Sequence, residues 1–395
     1  MSKKRVLIIS CVFPPESVTS ATTSCDIANR LVHEGMDVTV ICPQPTRAVG
    51  EEGAFNVNSE LNVIRLPTIK FGSSSFTKFL ENIIFGILVS VRLIWINKFD
   101  LVYINSWPVF STFIISRVLK FLKIKYFYSV QDLYPKTLLV KKIINKHGLI
   151  YAAVTNMERR VCFDAKQVVT ISKDFKEYIV DEIGVEKNKV VVISNWNFEK
   201  HSNESFSDSW KKLSNINIFN KNYIVIGYGG NISSSTGILN FCNLFFKLNI
   251  DAQVLVFGSG SEKNNIEILS KSEVNMDLIS PWPKSLNDSF YGACDILILP
   301  VPTGQEHGSV PSKLINYMRS GKSILCICDS PCEITNQLRN YKKSLILSWD
   351  DMKCLTNNML SELSKLSMSS DGFSDDIANT SIEEFEILIG MFSKN

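Results

Sequence analysis

At 395 residues the chain exceeds what one ordinary hydrophobic core accommodates, so two domains are the natural expectation. Its 42 Lys and Arg against 39 Asp and Glu leave a formal charge of +3, too small for a nucleic-acid binder with a dominant basic surface. The ten cysteines show no CxxC metal spacing, a usage that fits a reducing cytosol.

Lys3, Lys4 and Arg5 lead into a short strand over 6–10 rather than the long apolar region of a secretory signal, so an intracellular protein is expected. A helix over 21–34, closed by Gly35, and a strand over 38–41 complete a βαβ unit with a right-handed crossover. The loop between them, Phe13-Pro-Pro-Glu-Ser-Val-Thr-Ser20, contains no glycine. A GxGxxG fingerprint would stand there in an NAD or FAD enzyme, and its absence argues against both.

From 79 to 96 the chain reads FLENIIFGILVSVRLIWI. The uninterrupted apolar part is too short to span a bilayer, and Arg92 sits inside it. Two readings stay open: a core-packed helix, or a helix lying in a membrane interface with Arg92 and Trp95 at headgroup depth. A strand over 101–104, a helix over 110–122 and a strand over 125–130 follow, the last leading into Gln131-Asp132-Leu133-Tyr134-Pro135. Strands over 168–172 and 190–194 complete an open α/β sheet, whose ligands are expected at the carboxyl ends of the strands. Between Arg117 and Lys146 stand Lys120, Lys123, Lys125, Lys136, Lys141 and Lys142, with Asp132 the lone acid among them. Such a run is either a solvated face or a binder of anionic headgroups, at about 1 kcal/mol per cation.

The polar stretch 195–222 lacks periodicity and reads as the domain boundary. The alternation then restarts. A strand over 223–227 runs into Tyr228-Gly229-Gly230-Asn231-Ile232-Ser233-Ser234-Ser235-Thr236-Gly237, with a helix from about Ile238. The glycines let backbone come close to a ligand, while Asn231, the serines and the helix start offer hydrogen bonds. Strands over 254–257 and 276–279 lead into Gly258-Ser-Gly260 and Ser280-Pro281-Trp282-Pro283. The apolar run 295–300 reads as a buried strand, followed by a loop with Glu306, His307, Gly308 and Ser309. Pro311 suits a first helical turn, Leu314, Ile315 and Met318 supply a buried face, and Gly321 stops the helix. That helix start, rimmed by Ser309, Ser312 and Lys313, suits a phosphate. The alternative is an ordinary strand–helix–strand unit with an incidental lysine. A last helix is expected over 382–391.

The segment PSKLINYMRSGKSIL resembles the PSKLxEYMAxGKPxL segment of family 4 glycosyltransferases, in the branch that builds bacterial O-antigen and capsule. The resemblance extends over most of the chain. Gln131 to Pro135 is similar to the family's HDLWP, with Gln131 where many relatives have His, and Asn195-Trp196 to its hinge NW pair. Gly258-Ser-Gly260 matches its VGDGP turn, and Trp282 stands where the family seats the nucleotide base, as a stacking partner or as a core or hinge residue. The resemblance implies an α/β GT-B fold, two Rossmann-like parallel-sheet domains facing a cleft. Residues 1–200 would hold the acceptor and 201–375 the nucleotide-sugar, while 376–395 would form a helix returning to the first domain.

The implied activity is transfer, with retention, from a nucleotide-sugar to a polyprenyl-diphosphate-linked saccharide. The donor would be a UDP-sugar such as an N-acetylated deoxyhexosamine. The protein would work at the cytoplasmic face of the membrane as a peripheral protein. No cofactor is implied, and no metal, since no Asp-x-Asp is present. Lys313, the helix start at Pro311 and the Gly229–Gly230–Asn231 backbone would stabilise the departing diphosphate. Ser309, Val310 and Ser312 would line the donor. Three departures from the family stand out. Its first-loop glycines are replaced around Ser17 to Thr19, the Arg and Lys many members add to the second Gly-rich loop are missing, and its E-x7-E pair is altered. Asn316 occupies the second Glu position, as a neutral ribose contact, and Glu306 lies ten residues before it, at the donor sugar or as a solvated loop acid. Asp132 is the candidate base, with Gln131, Ser17 and Thr19 on the acceptor side. A nucleotide-sugar 2-epimerase of the same fold is disfavoured because His33, His147 and His201, three of only four histidines, fall on helix or linker positions. A non-catalytic nucleotide-sugar binder stays open through Asn316 and the glycine-free loop.

Overall fold

The computed structural model describes residues 3–16, 18–45, 55–68, 75–96, 99–105, 109–140, 144–196, 208–209, 213, 223–282, 284–306, 310–367 and 373–394. Two compact units divide the chain, one of Met1–Asn195 with Glu383–Asn395 and one of Trp196–Ile382.

The first unit runs β1 (Arg5–Ile9), α1 (Thr19–His33), β2 (Asp37–Pro43), β3 (Asn62–Leu66), α2 (Ser75–Trp95), β4 (Leu101–Asn105), α3 (Val109–Phe121) and β5 (Tyr126–Val130). It continues through α4 (Tyr134–Val140), α5 (Leu149–Asp164), β6 (Gln167–Thr170), α6 (Lys173–Glu177) and β7 (Val190–Val192). Its strands form one parallel sheet in the order β3-β2-β1-β4-β5-β6-β7. The central strands β4, LVYIN, and β5, YFYSV, are buried at every position. Continuous runs of β-branched and aromatic residues are what a parallel strand covered on both faces requires. Strand β3, NVIRL, lies at the sheet edge and is only half-buried. It lacks the continuous run that marks the others, so the sequence reading passes over it.

Helix α2 shows how the stretch over 79–96 divides its apolar residues. Phe85, Val89 and Leu93, spaced four apart, are buried, whereas Ile87, Val91, Ile94 and Trp95 are 47%, 49%, 63% and 81% exposed. One apolar face is core, as the first reading has it, and another faces outward. Gly86 permits the core contact, since a Cβ there would stand 2.8 Å from the Ser111 Cα of α3. The basic run is also less bare than its sequence suggests. Asp164 of α5 pairs with Arg117 and, at 2.8 Å, with Lys120, and Glu182 lies 3.4 Å from Lys136. These acids lie far away in sequence, which is why Asp132 looked alone. Lys141 and Lys142 lie outside the described residues.

The second unit comprises β8 (Ile224–Asn231), α7 (Ile238–Phe245), β9 (Ala252–Ser259), α8 (Lys263–Ser272), β10 (Met276–Ile279), α9 (Asn287–Ala293) and β11 (Ile296–Pro300). Then come α10 (Lys313–Arg319), β12 (Ser323–Ile327), α11 (Glu333–Asn340), β13 (Ser344–Leu347), α12 (Asn357–Ser367) and α13 (Phe373–Ser393). Its sheet is parallel in the order β10-β9-β8-β11-β12-β13. The chain moves outward on one side through β9 and β10, then returns to place β11 on the other side of β8. The carboxyl ends of β8 and β11 therefore flank the topological switch point, where open α/β sheets bind ligands. From Glu383 on, α13 packs with the first unit: Phe392 meets the rings of Tyr103 and Phe127, with centroids 5.8 and 5.3 Å away.

One boundary differs in a way that matters. Strand β8 does not end before the glycines but continues through Gly229, Gly230 and Asn231, paired in register with Phe257, Gly258 and Ser259. Glycines read as loop because they weaken strands. Here the small size lets two strand ends close: a Cβ on Gly258 would stand 1.9 Å from the Gly230 carbonyl oxygen.

Candidate functional site

At the carboxyl end of β8 the backbone is packed from both sides. A Cβ on Gly229 would meet the Trp282 ring at 2.3 Å, and one on Gly230 would meet Lys313 Nζ at 3.2 Å. Tyr317 of α10, fully buried, accepts a hydrogen bond from the Gly229 N–H at 2.8 Å and donates to its carbonyl at 3.3 Å. Helix α10 is thereby fastened to the strand end, which carries Lys313 to it. The structure so brings together Gly229, Gly230, Asn231, Trp282 and Lys313.

Lys313 is the unusual member. Its ammonium donates to the Tyr228 hydroxyl at 2.6 Å and lies 3.8 Å from the centre of the same ring. No ion pair joins it to any acid among the described residues. The residue as a whole keeps partial solvent contact, but the charged end is enclosed, and burial pushes its pKa down to about 7. An ammonium held by a neutral hydroxyl and a ring is under-compensated, and a polyanion would complete its shell.

The remaining donor-side residues fall around this pair. Asn231 donates to the Ser233 hydroxyl at 3.0 Å, and Ser233 and Ser235 share a bond of 2.9 Å, so part of that polar set is already engaged. Trp282 packs against Phe257 and Phe290 at centroid distances of 5.8 and 5.3 Å, while its buried Nε1 has no partner among the described residues. Its ring is thus committed to an aromatic cluster while the N–H is not. Val310 packs against the same core. Ser312 and Asn316 are half-buried on the turn into α10 and on α10 itself. Glu306 is 6% exposed, so it is not the solvated loop acid that its loop position allowed. Pro311 precedes the helix proper, accepting from the Leu314 N–H at 3.0 Å, and α10 itself opens on Lys313. Ser309, with His307 and Gly308, lies outside the described residues.

In the first unit, Gln131 and Asp132 follow β5 directly, with α4 opening at Tyr134. Gln131 donates to the Ser129 hydroxyl at 2.9 Å, and Asp132 is exposed. Thr19 opens α1; its side chain, like Ser17, lies outside what the structure describes. Among the described residues no group of three or more His, Cys, Asp or Glu could hold a metal ion. Sequence reasoning gave no role to Tyr228, quoted only as part of the Gly-rich stretch, or to Tyr317. The available signal was position: one precedes the glycine pair and the other follows Asn316.

The two parallel sheets have the organisation of the GT-B fold. Residues 20–196 match the family model described as Glycosyltransferase Family 4. A probable glycosyltransferase, WbjE, from Pseudomonas aeruginosa is 23% identical over 210 residues, 52% of each chain, so the match spans about half the length of that relative. Among solved structures, sucrose-phosphate synthase from Thermosynechococcus elongatus superposes with a TM-score of 0.74 at 12% identity, covering 100% of both chains. WaaG, a glycosyltransferase involved in lipopolysaccharide biosynthesis, gives 0.69 at 13% identity, covering 99% of this chain and 100% of its own. Anabaena HepE in complex with UDP-glucose gives 0.66 at 11% identity, covering 97% and 99%. Residues 20–196 thus resemble the family 4 glycosyltransferases, and the chain has the GT-B fold.

Proposed function

We propose that the protein transfers a sugar, with retention, from a nucleotide-sugar to a lipid-linked saccharide in bacterial surface-polysaccharide synthesis. The observation that carries this reading is the Lys313 ammonium, enclosed without an acid partner beside the Gly230 backbone at the switch point of the second sheet. A donor diphosphate supplies the missing anion. When the glycosyl–phosphate bond breaks, Lys313 and the β8 strand end stabilise the charge that develops on the leaving group, without a resident metal. Glu306 approaches the donor sugar, Asn316 the ribose and Trp282 the base, while Ser309, Val310 and Ser312 close the donor pocket. Gln131, Asp132, Ser17 and Thr19 serve the acceptor, whose hydroxyl is deprotonated by Asp132 or by the leaving phosphate. That HepE is seen with UDP-glucose supports a UDP-sugar donor, the match to the probable glycosyltransferase WbjE supports sugar transfer, and the likeness to WaaG supports a surface-polysaccharide acceptor.

The same reading places the protein at the cytoplasmic face of the membrane as a peripheral protein, meeting a polyprenyl-diphosphate-linked acceptor there. No helix of the described residues is long and apolar enough to cross a membrane, and the outward apolar face of α2 supplies a contact. Incubation with a panel of nucleotide-sugars, with and without a polyprenyl-diphosphate sugar, tests the proposal. Acceptor-dependent transfer is the expected result. Isomerisation without acceptor, or binding without turnover, overturns it.

A further inference from the structure

Tyr228 sits between the two halves of the candidate donor site. It is fully buried on β8, one residue before the glycine pair. Its hydroxyl accepts from Lys313 and donates to the Asn231 carbonyl at 2.5 Å, so a single oxygen ties the ammonium to the strand end. The ring beneath adds an attraction for the cation, without a second charge. We infer that Tyr228 is a positioning residue that holds the Lys313 ammonium at the end of β8 for the phosphates of a nucleoside-diphosphate sugar, and that this ligand takes up a proton through Lys313 when it binds. The inference rests on the donor reading above.

The physical argument begins with what holds the charge. A carboxylate beside Lys313 would keep it permanently charged but would compete with the donor and repel it. A tyrosine hydroxyl accepts a bond at no cost in negative charge, so it fixes the direction of Nζ and leaves its charge for the ligand. The consequence is a partly neutral lysine in the ligand-free protein, charged once a diphosphate lies against it. The other titratable groups packed around the pair do not compete near neutrality. Burial raises the Tyr228 hydroxyl, Tyr317 on the same helix as Lys313, and the Cys242 thiol of α7, all far above pH 7. His307 lies outside the described residues, and replacing Lys313 separates its titration from that of the lysine.

The experiment is calorimetric binding of UDP-glucose between pH 6 and 9, in buffers of different ionisation enthalpy. Both phosphates of this probe are esterified and stay charged over that range; other nucleoside-diphosphate sugars are run alongside it. Wild-type protein should take up about half a proton at pH 7, with affinity falling toward tenfold per pH unit above it. Lys313→Met should bind weakly with a flat pH profile. Tyr228→Phe keeps the ring and loses the acceptor. It should lower affinity roughly tenfold or more and move the midpoint to lower pH, because the charged lysine has lost its partner. A purely structural role would not move that midpoint. Wild-type protein labelled with 13C at lysine Cε gives the same titration by NMR, independent of how well a variant folds. If Tyr228→Phe binds with unchanged affinity and midpoint, or the labelled lysine titrates near 10 without ligand, the inference is overturned while the donor reading stands. If no nucleoside-diphosphate sugar binds the wild type, both fall.

Discussion

In the proposed site, Lys313 should act in opposite directions on stability and on function. Its folded pKa of about 7 lies below the 10.5 of an unfolded lysine. A base with a depressed pKa costs stability as pH falls: the penalty begins near pH 10.5, grows by at most about 1.4 kcal/mol per unit, and is complete below pH 7. Lys313→Met, close in volume and uncharged, should therefore raise the melting temperature of the ligand-free protein at pH 7. The gain over wild type should shrink as pH approaches 10, as read by parallel thermal melts. The same variant should lose roughly 10²-fold or more in kcat/KM, the scale of removing one preorganised charge partner. Wild-type turnover in Lys313→Met would remove the lysine from the site altogether. Asn316 is a gentler case. As a ribose contact its replacement by Ala should weaken nucleotide binding by about 1–2 kcal/mol, one or two buried hydrogen bonds. Equal nucleotide affinity for parent and variant would show that the side chain serves another contact.

At the scale of elements, the end of β8 and the end of β9 are one construction. Gly258 adopts φ of +157° and faces the Gly230 carbonyl across the pair, and Gly230 itself has φ of +138°. A side chain at Gly258 meets backbone rather than a movable group, so the strands must part to admit it. Gly258→Ala should cost about 2–4 kcal/mol, strain and overpacking combined, and should also weaken nucleotide binding by displacing Gly230 from Lys313. Chemical unfolding and nucleotide titration of one sample read both effects. Unchanged values would mean that the strand ends open freely. This element also shows how far the sequence was legible. The alternation of β-branched runs with amphipathic stretches located the buried strands of both sheets, because parallel strands announce themselves by unbroken apolar runs. Lys313 was legible as a candidate because it follows a buried strand and a proline suited to a helix start, and the structure places it beside the end of β8. Its partner was not, since nothing local distinguishes Tyr228 from core, and the bond to it joins residues 85 apart in sequence. Strand β3 and the pairing of Asp164 with Arg117 and Lys120 were hidden for the same reason: each is fixed by tertiary contacts.

For the molecule as a whole, the proposed lipid-linked acceptor raises the question of how a chain with no membrane-crossing helix among its described residues would reach it. Charge alone is a weak answer. Of the cations the sequence gathers between 117 and 146, Arg117 and Lys120 share Asp164 and Lys136 lies beside Glu182, so their attraction for headgroups is partly cancelled. What remains is also screened beyond about 8 Å at physiological salt. The outward face of α2 carries the larger share in this account. Ile87, Val91, Ile94 and Trp95 repeat at helical spacing, and Arg92 is exposed among them, a pattern that suits an interfacial helix. Burying a large side chain from water is worth about 1.5–3 kcal/mol. The double change Ile94→Glu with Trp95→Glu should therefore reduce flotation with liposomes containing anionic lipid by tenfold or more. The charge reversals Lys123→Glu with Lys125→Glu, at exposed positions beyond the end of α3, should reduce it less and mainly at low salt. Transfer to a short-chain soluble acceptor should survive in both variants, because α2 presents this face away from its own core. If wild-type protein fails to float with anionic liposomes at low salt, the apolar face of α2 serves a different partner. The acceptor must then be brought to the enzyme rather than met in the bilayer.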